Sequence, residues 1–352
     1  MTAILAPIGW LYGKIADARN ALYERGWLKS FPLGAWTISI GNITAGGTGK
    51  TPLVAFVSEM LAEKGARVCV LTRGYGRRNP RDRVLVSDGE NVLVDAKAGG
   101  DEPVELARKL IGKAVVIADA DRVSAAKWAK EKFAITAFVL DDGFQHRRAR
   151  RDLDIVCIDA TDPCGGGRML PAGRQREPLD KLKRADAVVI TRANLVDDIG
   201  ALRSRMERLA PDSCVFTCES RVARLTTLDE FLAKPNSTNR RGEFSTTESD
   251  MKDVKSSACF AFCGLGNPGN FFSQLQQEQF GLKGTHAFLD HHIFSQDDIA
   301  SIESDAKTLD AEVLLTTAKD AVKLTSVAFS IPCYVVEIEL LIDNHTAFGS
   351  ML

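Results

Sequence analysis

The sequence predicts an α/β protein with a mainly parallel sheet covered by helices on both faces, a second, smaller α/β lobe and an N-terminal amphipathic helix. Three observations support this prediction. Short apolar runs alternate with helical patterns through residues 36–193, as in successive βαβ units. A polar stretch interrupts the alternation at 233–257, and it then resumes. The length of 352 residues also exceeds what one ordinary core accommodates, so two lobes are expected.

The composition is that of a folded chain. Hydrophobic residues make up 45% and charged residues 26%, which excludes disorder over most of the length. A net charge of −1 gives no reason to expect a nucleic-acid partner. The eight cysteines lack the CxxC spacing of a zinc site, and the start of the chain does not read as a cleavable signal peptide. We therefore expect reduced thiols in the cytoplasm.

The first element, residues 1–30, is predicted to be an amphipathic helix. Its apolar stripe has helical spacing and consists of Leu11, Ile15, Ala18 and Leu22. Aromatic and basic residues flank the stripe, and the uncharged stretch 1–13 is too short to span a bilayer. The helix is expected either to lie in the lipid headgroup region or to pack on its own domain.

The elements that follow alternate regularly. A strand at 36–41 leads through a glycine-rich loop into a helix that Gly65 ends. Further core strands are predicted at 67–72, 114–118, 137–142, 154–160 and 186–193. Helices are predicted at 101–111 and 121–133, and a small hairpin or excursion at 84–96.

The glycine-rich loop is the strongest functional signal. A strand, the string NITAGGTGKTP and a helix follow one another in the order of a phosphate-binding P-loop, so the core is expected to be P-loop NTPase-like. Lys50 is expected to reach the β and γ phosphates of ATP, and Thr51 to ligate Mg²⁺. The loop residues expected at the nucleotide are Thr44, Ala45, Gly46, Gly47, Thr48 and Gly49. The strict P-loop pattern, GxxxxGK[ST], has glycine where this chain has Thr44. The alternative interpretation of the loop is an ordinary glycine-rich turn.

Two adjacent acids end the strand at 137–142. Asp141 and Asp142 stand where a P-loop protein keeps an acid on the Mg²⁺ side of the nucleotide. Adjacent carboxylates at a strand end are costly unless a cation or solvent compensates them. The alternative is a surface turn, since Asp-Gly is a common turn signal.

Several strings together resemble the family of tetraacyldisaccharide 4'-kinases, the lipid A 4'-kinases. Their order and spacing match the family from about residue 10 to about residue 340. The strings are SIGNITAGGTGKTP (39–52), TRGYGR (72–77), GDEPVELA (100–107), DDGFQHRRARRDLDIVCID (141–159), LPAGRQREP (170–178), GLGNPGNFF (264–272), DHHIF (290–294) and TTAKDAVKL (316–324). DDGFQH with the downstream RDLDIV is the most specific of them.

The resemblance implies ATP-dependent phosphorylation of the 4'-hydroxyl of a tetraacyldisaccharide 1-phosphate, with Mg²⁺. It places the chain at the cytoplasmic face of the inner membrane of a Gram-negative bacterium, as a peripheral or monotopic protein. The expected partners are the acylated disaccharide and the membrane surface. Nothing in the sequence indicates an obligate protein partner.

The resemblance also implies roles for individual residues. Asp101 in GDEP resembles the catalytic aspartate, and His291 in DHHIF its partner, with His292 as the less favoured candidate. Further matching positions around the nucleotide, phosphates and metal are Arg122, His146, Arg176 and Glu177. Local sequence alone offers structural alternatives, namely a helix N-cap for Asp101 and a surface turn for His291.

A second lobe begins after the polar stretch. GLGNPG is an incomplete dinucleotide motif and is interpreted as a tight strand-to-helix turn. His291 then belongs to the small lobe and the P-loop to the large one, so a cleft between lobes would bring donor and acceptor together. TTAKDAVKL has Ala318 where the family usually has Glu, and the residues after 344 match nothing in it. The predicted units are the helix at 1–30, the P-loop kinase core at 31–232, a polar linker at 233–257 and the C-terminal lobe at 258–352.

Two other classes of protein compete with the kinase. A nucleotide-switch ATPase or GTPase acting on a protein partner would also need the P-loop. A GTPase base-recognition motif NKxD is absent after the strand at 186–193, where TRANLVDD stands instead. A membrane scaffold would have no need of Lys50 together with paired acids at a strand end. The kinase is therefore the leading hypothesis.

Overall fold

The computed structural model describes residues 2–233 and 248–352. The strands of this part of the chain are β1 (Trp36–Asn42), β2 (Val68–Thr72), β3 (Val84–Ser87), β4 (Ala114–Ala118), β5 (Ala137–Asp141), β6 (Leu153–Asp159), β7 (Ala187–Thr191), β8 (Cys214–Thr227), β9 (Cys259–Cys263), β10 (Leu282–Ala287), β11 (Val313–Thr317) and β12 (Cys333–Ile342). Its α-helices are α1 (Thr2–Glu24), α2 (Lys50–Glu63), α3 (Ala96–Gly99), α4 (Asp101–Lys109), α5 (Arg122–Phe133), α6 (Ile199–Leu209), α7 (Leu228–Ala233), α8 (Glu248–Ser256), α9 (Pro268–Gln277), α10 (Gln296–Thr308), α11 (Ala318–Ala321) and α12 (His345–Met351).

All twelve strands form one sheet, in the order β10-β9-β11-β12-β8-β7-β6-β1-β5-β2-β4-β3. Neighbours are antiparallel only at β3 with β4 and at β12 with β8, and parallel elsewhere. The mainly parallel α/β fold predicted from the sequence is confirmed. We call β1–β7 the large half-sheet and β9–β12 the small half-sheet.

The long strand β8 joins the two half-sheets. Its first residues, 214–218, pair in parallel with β7, and residues 218–227 pair antiparallel with β12. Strand direction therefore reverses between β8 and β12, and the small half-sheet lies beyond the carboxyl edge of the large one. As a result the carboxyl ends of the strands in both halves face a shared cleft, which is where α/β sheets place ligands.

Helices cover both faces of the large half-sheet. Along β4 the side chains alternate, so that Val116 packs in a cluster with Leu53 of α2 and Leu106 of α4. Ile117 packs in a second cluster with Ala126 of α5. The strands are buried on both sides as a result, which explains why they appear in the sequence as unbroken apolar runs.

Two segments add detail to the sequence-based expectation. Of the small hairpin or excursion predicted at 84–96, the structure has the excursion: β3 is followed by a single bridge between Ser87 and Val92, and Asp95 then caps α3. Part of the expected linker is helical, since α8 spans Glu248–Ser256 and buries Val254. Residues 234–247 of that linker lie outside the described residues. The GLGNPG turn between β9 and α9 is confirmed.

Helix α1 packs through small residues and leaves several of its large apolar residues exposed. Gly9 and Gly13 are buried, and a Cβ atom at Gly9 would lie 3.0 Å from the carbonyl oxygen of Met169. Such contacts allow close backbone approach. The exposed large residues include Ile8, Trp10, Leu11 and Ile15, with Trp27 just beyond the helix. Within the described residues, no helix is both long and apolar enough to cross a membrane.

Candidate active site

The two carboxyl edges enclose a cleft of about 1350 Å³. The P-loop lies on one side of it, and the loop after β10 and helix α11 lie on the other. Helix α1 contributes Tyr12, Arg19 and Asn20 to the lining. The cleft is therefore bounded by both half-sheets and by the N-terminal helix, and it brings together most residues singled out in the sequence.

The P-loop connects β1 to α2 and adopts a conformation that needs glycine. Gly46 and Gly49 have φ angles of 114° and 77°, which side-chain-bearing residues rarely adopt. The Asn42 amide donates a 2.8 Å hydrogen bond to the Thr48 hydroxyl oxygen, which fixes the loop to the end of β1. Helix α2 begins at Lys50, so its first-turn N–H groups and dipole favour an anion at this end.

Lys50 and Arg176 both contact Asp142. The Lys50 Nζ atom lies 3.4 Å from the nearer carboxylate oxygen, and one Arg176 nitrogen lies 2.7 Å from each oxygen. Burial alone would raise the pKa of Asp142, but the charges of Lys50 and then Arg176 outweigh it and hold the pKa well below its usual range. Asp142 thus faces two cations next to the P-loop.

Asp141 has the opposite electrostatic surroundings. It ends β5 beside β1, is 4% exposed and accepts a 2.8 Å hydrogen bond from the Thr72 hydroxyl. Burial, followed by the charges of Glu102 and Asp142, raises its pKa to about 6. Negative charge thus prevails around Asp141, and a bound cation would stabilise its ionised form.

The Asp101 side chain meets His291 across the cleft. The His291 Nδ1 atom lies 2.9 Å from Oδ2 and 3.1 Å from Oδ1 of Asp101. Asp101 is the first residue of α4 and is 6% exposed, whereas His291 lines the cleft at φ 61°. The helix N-cap position is held by Gly100, so the cap alternative for Asp101 is wrong.

This contact shifts the pKa of both groups. Burial raises the pKa of Asp101, but the hydrogen bond from His291 and the charge of Lys319 outweigh it, and the net shift is downward. The hydrogen bond to Asp101 in turn raises the pKa of His291. The neighbouring His292 contacts Asp298, at 3.1 Å, and not Asp101. Of the two histidines, the structure therefore joins His291 to Asp101.

The remaining predicted residues lie around the same cleft. Arg122 begins α5, is 4% exposed and directs its guanidinium toward the Asp141 carbonyl at 3.5 Å. Burial lowers the pKa of His146 to about 4, so its imidazole is neutral near pH 7. Glu177 is buried and accepts 2.8 Å hydrogen bonds from Asn20 and Arg184. Both bonds reach the same carboxylate oxygen, Oε2.

Three residues at the P-loop were missed by sequence reasoning. Arg192 donates to the Gly47 carbonyl at 2.8 Å and to Asp159 at 2.5 Å. Asn270, from α9 of the small half, donates to the same Asp159 carboxylate at 3.1 Å. Asp159 ends β6, which flanks the P-loop strand opposite β5. Its place at the end of a predicted strand was the signal that could have identified it.

Helix α2 and strand β5 each supply an oxygen atom suited to binding a metal ion at the P-loop. Among the described residues, no three His, Cys, Asp or Glu side chains are clustered so as to hold a metal on their own. Thr51 and Asp141 both line the cleft at the P-loop and supply the hard oxygen ligands that suit Mg²⁺. Asp142 is already paired with two cations. Protein ligands are few at P-loop sites because phosphate oxygens complete the Mg²⁺ shell.

Comparison with known proteins gives a consistent result. The sequence profile described as "Tetraacyldisaccharide-1-P 4'-kinase" matches residues 1–352. The tetraacyldisaccharide 4'-kinase of Halothermothrix orenii is 36% identical over 333 residues, covering 92% of this chain and 83% of that protein. The Geobacter metallireducens tetraacyldisaccharide 4'-kinase is 37% identical over 326 residues, covering 92% and 88%. The crystal structure of "apo" form LpxK from Aquifex aeolicus in complex with ATP matches with a TM-score of 0.75 and 30% identity, covering 99% of this chain and 98% of that one.

Proposed function

The chain belongs to the tetraacyldisaccharide 4'-kinase family and phosphorylates a lipid A precursor at its 4' position with ATP, and we propose that the cleft between its half-sheets is where this transfer takes place. The observation that carries the proposal is the Asp101–His291 pair, with His291 lining the same cleft as the P-loop. The competing assignment as a nucleotide switch for a protein partner is not favoured, since the family match covers the whole chain.

In this proposal ATP lies with its phosphates on residues 44–51. The backbone N–H groups of the P-loop and of the first turn of α2 bind phosphate oxygens. Lys50, 3.4 Å from Asp142 in this structure, turns to the terminal phosphate when ATP is bound. Arg122, His146 and Arg176 border the phosphate side of the cleft. Preorganised positive charge at the transferring phosphoryl group stabilises the charge that develops there.

The Asp101–His291 pair is the base in this proposal. The 4'-hydroxyl must lose its proton as its oxygen attacks phosphorus, and a carboxylate oriented by an imidazole can accept it. The lowered pKa of Asp101 keeps the carboxylate ionised near pH 7. Because the two groups share a hydrogen bond, they take up the proton as a coupled pair.

We also propose that Thr51 and Asp141 hold Mg²⁺ together with the phosphates of ATP. When bound, the ion would neutralise charge on the phosphate oxygens. Asp142 then orients Lys50 and Arg176, and contributes to the metal only if those contacts open. The bonds of Glu177 to Asn20 and Arg184 favour a structural role, in which it anchors α1 to the core.

The proposed place of action is a membrane surface, on the cytoplasmic face of an inner membrane. An acceptor with four acyl chains stays in the bilayer, and the exposed apolar side of α1 borders the cleft that its sugar must enter. Helix α1 would lie in the headgroup layer, so that the chain is peripheral or monotopic. We likewise propose the division of the chain at residues 30, 232 and 257, although one sheet runs through both lobes.

The deciding experiment is incubation of the protein with labelled ATP and tetraacyldisaccharide 1-phosphate. We expect the product mass to rise by one phosphate and the label to lie on the distal sugar. The matched control is the same lipid already phosphorylated at its 4' position, which should accept nothing. ATP hydrolysis without lipid labelling, or hydrolysis that needs a protein partner, would contradict the proposal. Chelation by EDTA in the same assay tests the metal.

A further inference from the structure

The string TTAKDAVKL places two lysines near the Asp101 carboxylate. Lys319 and Lys323 come from helix α11 and the turn after it, in the small half, and their Nζ atoms lie 4.0 and 3.9 Å from Asp101 Oδ2. Their side chains are only 12% and 8% exposed. Two nearly buried ammonium groups beside one carboxylate are costly to desolvate, so each needs an explanation.

Lys323 is explained by the fold. It pairs at 2.8 Å with Asp320, which is fully buried. The Asp320 carboxylate also accepts hydrogen bonds from the Gly264 amide and the Thr317 hydroxyl. Asp320 therefore ties α11 to the end of β9, and Lys323 neutralises it. These contacts account for the structural part of the string without Lys319.

Lys319 instead spans the cleft. Its Nζ atom lies 3.0 Å from Glu102 Oε1 and 3.0 Å from Asp290 Oδ1. Glu102 follows Asp101 on α4, and Asp290 precedes His291 on the opposing loop. One ammonium group thus joins the chain neighbours of both members of the pair, which belong to different half-sheets.

We infer that Lys319 is a positioning residue for phosphoryl transfer, which holds Asp101 and His291 in contact and keeps the carboxylate ionised through its positive charge. The inference rests on the proposed role of Asp101 as the base. The 3.0 Å contacts of Lys319 with Glu102 and Asp290 position the pair. Its positive charge, 4.0 Å from Asp101 Oδ2, stabilises the ionised carboxylate. The charged and titratable groups that face Asp101 are His291 and Asp290 on the loop after β10, Lys319 and Lys323 of the α11 region, and Glu102 and Glu105 on α4.

The test compares Lys319→Met, Lys319→Arg and the exposed control Lys307→Met on α10. We expect Lys319→Met to lower kcat by roughly 10- to 100-fold, with the KM for ATP within about twofold of the parent. Without the nearby cation the pKa of Asp101 rises, so the acidic limb of the kcat profile should move to higher pH. Lys319→Arg should restore most of kcat and the original limb, and Lys307→Met should match the parent.

Three results would overturn the inference. One is a parental kcat and pH profile in Lys319→Met. Another is an equal loss in the Met and Arg variants with an unmoved acidic limb and a lowered Tm, which would make Lys319 purely structural. The third result applies if Lys319→Met does not fold. Glu102→Gln then breaks the contact between Lys319 and Glu102 while keeping the lysine, and a parental kcat in that variant would overturn the inference.

A parallel measurement separates this inference from the proposed base. Asp101→Asn should be nearly inactive, and adding Lys319→Met to it should cause no further loss, because Lys319 acts through Asp101. An active Asp101→Asn protein would refute the base itself. An inactive Asp101→Asn protein beside a fully active Lys319→Met protein would refute only the role of Lys319.

Discussion

The Nδ1 atom of His291 lies 2.9 Å from the Oδ2 atom of Asp101, although 190 residues separate the two in the chain. They stand on opposite sides of the cleft, Asp101 on the large half and His291 on the small half. The pair therefore exists only while the two half-sheets hold their present arrangement. Any motion that opens the cleft would separate the proposed base from its partner.

Replacing Asp101 tests the base without removing its place at the start of α4. Asn and Ser are both well accepted at a helix N-terminus, but neither side chain can accept the proton of the 4'-hydroxyl. We expect each to lose most phosphoryl transfer, by roughly two to four powers of ten, with ATP affinity nearly unchanged. Single-turnover kinetics and ATP titration measure the two quantities. Retention of most activity in either variant would mean that Asp101 is structural.

Lys50→Ala should lower turnover by roughly two to four powers of ten, because a preorganised charge on the transferring phosphoryl group is lost. The control is Lys127→Ala, which removes an exposed lysine from α5. Both proteins should show the same far-UV circular dichroism and similar Tm. Near-normal turnover in folded Lys50→Ala would refute the P-loop assignment.

The pKa of Asp141 predicts a pH dependence of stability with a definite sign. A carboxylate whose folded pKa is raised, here to about 6, contributes stability below its unfolded pKa and loses that contribution as pH rises through 6. At pH 7.5 without ligands, Asp141→Asn should therefore raise the free energy of unfolding, by on the order of 2 kcal/mol. The gain should vanish near pH 4. Urea denaturation at the two pH values measures it, and a loss of stability at pH 7.5 would contradict the electrostatic account.

The same variant should bind Mg²⁺ more weakly. If Asp141 is a ligand, Asp141→Asn should require roughly tenfold or more Mg²⁺ for half-maximal rate, since a ligand charge is lost. Asp186→Asn, just before β7 and outside the lining of the cleft, is the control. An unchanged Mg²⁺ requirement in Asp141→Asn would place the metal on other residues.

Membrane contact by α1 is tested on its exposed face, because deletion of the helix would also remove the buried Asn20–Glu177 contact. Replacing Leu11 and Ile15 together by Asn should weaken vesicle binding by roughly tenfold or more, with the KM for ATP unchanged. The matched control replaces Leu93 and Leu309, which are exposed elsewhere, by Asn. Flotation with anionic liposomes at low and high salt measures binding. If both double variants float with the liposomes equally well, α1 only packs on the core and does not bind the membrane.

The sequence predicted best what lies close together along the chain. The P-loop is contiguous from β1 to Lys50, so its order alone indicated a phosphate site. The strands appeared as apolar runs because both faces of the sheet are covered. Asp101 and His291 were joined only through the family resemblance, since no local pattern reports a contact between residues so far apart.

The residues that were missed share one property. Arg192, Asp159 and Asn270 come from separate elements, and only strand order brings their side chains together at the P-loop. Lys319 lay within a recognised string, but its partners Glu102 and Asp290 belong to distant segments. The antiparallel pairing of β8 with β12, which turns the two carboxyl edges toward each other, has no local sequence signature and could not be predicted.

The small-residue packing of α1 gives the protein an internal optical reporter. Because Gly9 and Gly13 seat the helix on the core, its one tryptophan, Trp10, is directed outward and is 65% exposed. Trp27, beyond the helix end, is 72% exposed. Two of the four tryptophans thus lie on the segment proposed to meet lipid. Their fluorescence should shift to the blue when vesicles are added, and acrylamide should then quench it less. Docking can therefore be followed in real time on the native chain, without a dye or a label.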